Sequence, residues 1–131
     1  MRPMNIALLG SLAAFALAAC QGQVPDAASS PQGTWKGQLI TDDGVCPVYD
    51  QSVLKIRDHD IVFSPGSDAI VLKGHYSQGS TRFVARDTEA GVNHEPYHML
   101  FRGYPVGMTI GGTYITPRCH AHVTLLRQAT F

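Results

Sequence analysis

Apolar side chains recur at every second position in run after run of this chain, and that period limits what it can fold into. Ile70, Leu72, Gly74 and Tyr76 alternate with Ala69, Val71, Lys73 and His75. Thr81, Phe83 and Ala85 alternate with Arg82, Val84 and Arg86, and Cys119, Ala121, Val123 and Leu125 alternate with His120, His122, Thr124 and Leu126. Side chains of a strand point to opposite faces in turn, so this pattern marks strands with one buried face. After the first twenty residues no stretch sustains a helical period.

Residues that tolerate positive φ or preset a turn punctuate the runs. They fall at Asp42-Asp43-Gly44, Arg57-Asp58-His59-Asp60, Ser64-Pro65-Gly66-Ser67-Asp68, Ser77-Gln78-Gly79-Ser80, Glu89-Ala90-Gly91, Gly103-Tyr104-Pro105 and Thr116-Pro117. The spacing predicts eight strands, near residues 33–41, 45–57, 60–64, 69–76, 80–87, 94–102, 106–115 and 118–127. Short loops pair neighbours antiparallel. The expected fold is therefore all-β, a small up-and-down barrel or rolled sheet of about eight strands, because closure removes exposed edges. Gly74 and Gly111-Gly112 sit inside strands, where glycine marks a bend or a close approach that a neighbouring aromatic covers.

The residues from 33 to 131 make one domain. Ten basic residues balance ten acidic ones over the whole chain, and losing Arg2 would leave one net negative charge. Without a basic run or an aromatic-basic stripe, a nucleic-acid partner has no electrostatic footprint.

The N-terminus has a different character. Arg2 precedes an apolar run from Ile6 to Leu17, and Leu17-Ala18-Ala19 leads directly into Cys20. The run suits a signal-peptide core and falls short of the about 20 apolar residues that a spanning helix needs. An uncleaved anchor, or an ordinary secretory signal with an incidental Cys20, are the alternatives. Leu17-Ala18-Ala19-Cys20 resembles the lipobox of bacterial lipoproteins. That resemblance implies removal of residues 1–19, a diacylglycerol thioether on Cys20 and an acyl chain on its amine, so that Cys20 holds the protein to the membrane. More than one chain makes such anchoring stable. Gln21 stands where an Asp tends to retain such proteins in the inner membrane, which favours the periplasmic face of the outer membrane. Residues 20–32 carry prolines and small polar residues without apolar period, and are expected to be a flexible tether.

Cys46 and Cys119 remain. In an exported domain two such cysteines most simply form a disulfide; two free buried thiols are the alternative. No Cys-x-x-Cys marks a redox pair.

Several residues invite a chemical reading. His120 and His122 lie on one face of a strand, about 7 Å apart, and would hold zinc or copper if a third ligand joined them. The bland reading is an exposed polar strand face, and neither a metal nor another cofactor is expected. Asp42, Asp43, Asp50, Asp58 and Asp60 fall in expected turns without the Asp-x-Asp-x-Asp-Gly order of a calcium loop. His94-Glu95-Pro96-Tyr97-His98 has the spacing of a zinc-protease helix, but Pro96 interrupts such a helix and the segment reads as a loop entering a strand. No Gly-x-Ser-x-Gly elbow is present. Candidate binding residues are Trp35, Tyr76, Tyr97, Tyr104 and Tyr114, as core or as the lining of a barrel mouth that takes a small apolar ligand.

Two further resemblances bear on the fold. Gly33-Thr34-Trp35-Lys36-Gly37 resembles the first strand of avidin-like and lipocalin-like barrels, which implies that Trp35 plugs one end; periplasmic metalloprotease-inhibitor barrels share the Gly-x-Trp opening. The layout of lipobox, tether, about 100 antiparallel residues and a cysteine near each end is similar to lipoprotein inhibitors of c-type lysozymes. Their Ser-Gly-x-x-Tyr stretch is absent, the nearest segments being Gly79-Ser80 and Gly112-Thr113-Tyr114, so no inhibitory residue carries over. The expectation is a non-catalytic binding or inhibitory module of the envelope, with an envelope protein or a small apolar ligand as partner. The alternatives are a metal-assisted enzyme built on His120 and His122, and a purely structural envelope protein.

Overall fold

A computed structural model describes residues 25–66 and 69–129. Residues 1–19, expected to be a signal peptide, and Cys20, expected to carry the lipid, lie outside the described residues. Among the described residues nine strands follow one another: β1 Gly33–Gly37, β2 Ile40–Gly44, β3 Ser52–Arg57, β4 Asp60–Ser64, β5 Leu72–His75, β6 Phe83–Ala90, β7 Pro96–Val106, β8 Thr109–Thr116 and β9 Cys119–Arg127. All pairings are antiparallel, and β1 bonds both β3 and β9, so eight strands close into a barrel with β2 as an extra strand. Among the described residues no helix is long and apolar enough to cross a membrane.

The alternation read from the sequence builds the core. Cys119, Ala121, Val123 and Leu125 face inward along β9, while the residues between them are exposed. Leu54, Ile56, Ile61, Phe63, Leu72, Phe83, Phe101, Ile110 and Tyr114 fill the interior from the other strands. Phe63 stacks on Phe101 with ring centroids 4.0 Å apart. At about 25 cal/mol per Å² of apolar surface removed from water, each large buried side chain stabilises the barrel by about 1.5–3 kcal/mol.

The expected first strand, 33–41, is longer and divided. β1 and β2 keep one offset against β9 until a bulge between Thr41 and Asp43, so they form one chain stretch along that neighbour. Only β1 also pairs with β3; β2 reaches past β3 with every residue exposed. Asp42-Asp43-Gly44, expected as a turn, is therefore strand. The bulge and Gly44 at φ +83° let the chain press against β9, where a side-chain carbon at position 44 would sit 2.1 Å from the Arg118 carbonyl oxygen. The expected strand 45–57 begins only at Ser52. Before it, the Cys46 bond to Cys119 holds the chain in a loop, and the Ser52 hydroxyl donates to the Pro65 carbonyl where β3 starts.

Gly103-Tyr104-Pro105, expected as a turn, lies inside β7. Pairing with β6 ends at Phe83–Gly103, so the missing N–H of Pro105 leaves no broken bond on that side. The reversal comes instead at Gly107, at φ +59°. Aromatic rings cover the strand glycines of β8 as expected, but not Gly74 of β5. Phe101 lies over Gly112 and Tyr104 over Gly111. At Gly74 the neighbour is backbone, since an added side-chain carbon would sit 1.8 Å from the Val84 carbonyl oxygen.

The two barrel ends differ. One end gathers the β3–β4, β5–β6 and β7–β8 turns with the end of β9, and it is closed. Trp35 is fully buried there, donates its Nε1–H to the Pro31 carbonyl, and carries the Arg127 guanidinium 4.3 Å from its ring centre. Arg127 also donates to the carbonyls of Gln32 and Ser30. The expected flexible tether differs here: residues 25–32 are docked across this closed end. Ala27 is buried with its N–H on the Gly107 carbonyl, and Gln32 exchanges two hydrogen bonds with the Asp58 backbone. Ser29 donates its N–H and hydroxyl to Asp26, which holds that carboxyl below the usual range. Composition alone did not reveal the docking, because the partners that order this segment lie more than 25 residues away in sequence.

Candidate functional site

The opposite end is open. β2 and the β8–β9 hairpin extend there together, and the loop from Val45 to Gln51 returns across the rim to β3. The disulfide between Cys46 and Cys119, with Cα atoms 5.0 Å apart, fastens this loop to the first residue of β9. Both cysteines are buried, so the bond forms part of the mouth's floor.

Beneath the loop lies a cavity of about 250 Å³, lined by Val45, Pro47, Tyr49, Tyr97, Tyr114 and the disulfide, among others. Its walls are mostly apolar. The polar groups are few: the Tyr97 hydroxyl donates to Thr116 Oγ1 over 3.1 Å, while the Tyr114 ring is 1 % exposed. Among the described residues no hydrogen bond is made by the Tyr114 hydroxyl. Burial, reinforced by Tyr97 and Glu89 nearby, pushes its pKa up to about 12. It therefore stays protonated as a hydrogen-bond donor at any physiological pH.

The rim is apolar and exposed. Tyr49 is 88 % and Val45 82 % exposed, with Val48 beside them. Large apolar groups gathered around a concavity mark interaction surfaces, whereas singly scattered ones need no explanation. The sequence offered no signal for Val45 and Tyr49, since both fell inside an expected strand.

The sequence-derived candidates divide. Tyr97 and Tyr114 do line this mouth. Trp35 and Tyr76 lie buried at or near the closed end, Trp35 as its plug and Tyr76 against Phe83. Tyr104 lies half-exposed over Gly111 on the outer wall. These three are not brought to the cavity.

His120 and His122 point outward from β9, as their alternation required. His122 Nδ1 lies 2.8 and 2.9 Å from the two carboxylate oxygens of Asp42 on β2, and both side chains are half-exposed. This pair ties β2 to β9. Among the described residues no three His, Cys, Asp or Glu side chains gather in a metal-binding group. The segment around His94 forms a short 3-10 turn at Val92–His94 and enters β7 at Pro96, with His98 bonded to Thr88. It forms no helix that would bring His94 and His98 together on one face.

Compared with known proteins, the chain matches no family model, no curated protein and no solved structure.

Proposed function

We propose that this protein is a lipid-anchored, non-catalytic binding module of the cell envelope that grips an envelope protein with the open mouth of its barrel. In this reading Cys20 carries the lipid, the outer membrane holds the protein on its periplasmic side, and the mouth faces a partner. The single observation that carries the binding role is the disulfide-floored cavity bordered by exposed Tyr49 and Val45.

Size favours a side chain of a protein over a whole small ligand. A cavity of about 150 Å³ accepts benzene, while drug-sized ligands occupy about 300–1,000 Å³. At about 250 Å³ the mouth suits one apolar side chain, with the Tyr114 hydroxyl offering one hydrogen bond to a neighbouring acceptor. Tyr49 and Val45 then pack against the surface around that side chain, where buried aromatic residues contribute most of the energy of such contacts. The disulfide fixes the rim in advance, which lowers the ordering cost of association.

Capture from detergent-solubilised envelope by the full chain tests this. Wild type and Lys55→Ala, altered on the outer wall of β3, should retain the same partner band. A Tyr49→Ala/Val45→Ala variant should lose it. Equal capture by all three would remove the mouth from the account.

A further inference from the structure

The closed end carries a second apolar surface, unrelated to the cavity. Tyr104, Val106, Met108 and Leu126 are each 49–56 % exposed. They cluster through strand register: Val106 faces Thr109 across β7–β8, and Thr109 faces Leu126 across β8–β9. Alternation puts Tyr104 and Val106 on the same outer face, and Met108 stands at the tip of the turn between β7 and β8. Lys36 lies opposite Leu126 and Arg102 two residues before Tyr104, so that two basic side chains flank the patch against one carboxylate, Asp26, beside Ala27.

The chain leaves the barrel at this spot. Ala27 is bonded to Gly107, inside the same turn, and seven residue-to-residue steps separate it from Cys20. Fully extended, such a segment spans at most about 25 Å. If lipid is attached at Cys20, the turn cannot stand farther than that from the membrane, on either side of its attachment point. An exposed apolar cluster held so close to lipid meets acyl chains, and a tyrosine with neighbouring lysine and arginine suits the headgroup layer.

We infer that the β7–β8 turn, with Tyr104, Val106, Met108 and Leu126, is a lipid-docking surface that seats the closed end of the barrel on the membrane and directs the open mouth away from it. This rests on the lipid-anchor reading of Cys20. The contact belongs to the β7–β9 edge of that end, because the β3–β4 turn presents Asp58 and Asp60, which an anionic surface would repel. A single anchor on a loose segment would leave the mouth free to face any direction. A second contact beside the anchor fixes which end looks outward.

The test uses the full chain, processed in a bacterial host and reconstituted into vesicles of phosphatidylethanolamine and phosphatidylglycerol. An environment-sensitive fluorophore is placed on Met108→Cys, on Val106→Cys, and on Tyr49→Cys at the mouth. The diacylglycerol thioether blocks the Cys20 thiol and the disulfide occupies Cys46 and Cys119, so each variant offers one free thiol. Labels at 108 and 106 should emit at shorter wavelength on vesicles than in detergent-free buffer, and nitroxide-bearing lipids should quench them several-fold more than the label at 49. Equal water exposure at 108, 106 and 49, with acyl chains found on the N-terminal peptide by mass spectrometry, would overturn the docking surface alone. An unacylated Cys20 in the same sample would remove the anchor reading and this inference with it.

Discussion

Replacing both disulfide cysteines, Cys46→Ala/Cys119→Ala, should destabilise the domain by about 4 kcal/mol. The bond closes a loop of 73 residues. In the chain-entropy model the constraint on the unfolded chain is about 2.1 plus 1.5R ln n cal/mol/K, which at room temperature amounts to about 4.4 kcal/mol for a loop of this length. Alanine retains part of the apolar contact at both buried positions, so the packing loss is the smaller contribution. With a urea slope of about 1–2 kcal/mol per molar for a domain of this size, the midpoint should fall by about 2–4 M. The slope itself should rise, because the uncrosslinked unfolded chain exposes more surface. Trp35 is the only tryptophan and is fully buried, so its emission reports global unfolding. A midpoint shift equivalent to less than about 1 kcal/mol, with an unchanged slope, would refute the argument that this bond acts on the unfolded state.

Three other outcomes follow from the geometry. In spectrophotometric titration one of the five tyrosines should ionise only near pH 12, and Tyr114→Phe should remove that late step. Because the folded pKa is raised, Tyr114 supports the fold fully below about pH 10 and progressively less as pH rises from there towards 12; a stability flat across that window would contradict the assignment. Gly74→Ala should destabilise by about 1–3 kcal/mol or more through overpacking, since the new carbon would meet the Val84 carbonyl oxygen at 1.8 Å; an unchanged urea midpoint would mean that β5 and β6 do not cross there. His120→Ala/His122→Ala should cost less than about 1 kcal/mol, as befits exposed strand side chains, and elemental analysis should find no stoichiometric metal. About one zinc or copper per chain, lost in that double variant, would favour the enzyme reading.

The barrel was legible because its information is local. Alternation in segments such as 119–126 names the inward face residue by residue, and five of the seven expected turns fall between strands, while 42–44 and 103–105 lie inside them. The pairing of Cys46 with Cys119 was equally accessible, since the expectation of export left few fates for the two cysteines of the domain. The mouth was not legible. Tyr49 and Val45 sit in a stretch whose composition suits a strand, and only the covalent bond to β9 and the extension of β2 past β3 turn it into a rim. Trp35 and Tyr114 look alike in sequence as aromatic strand residues. Their separation to opposite ends depends on the strand direction and on long-range register. The docking of residues 25–32 escaped for the same reason: Arg127, Gly107 and Asp58 supply its partners from distant parts of the chain.

A photo-crosslinking residue placed at position 49 in living cells would catch a partner held in the open mouth. The same group at position 55 on the outer wall serves as the comparison. A discrete protein adduct is expected from position 49 and none from position 55, and the adduct should weaken when Val45→Ala is added. No adduct at 49, or the same adducts from both positions, would contradict binding at the mouth.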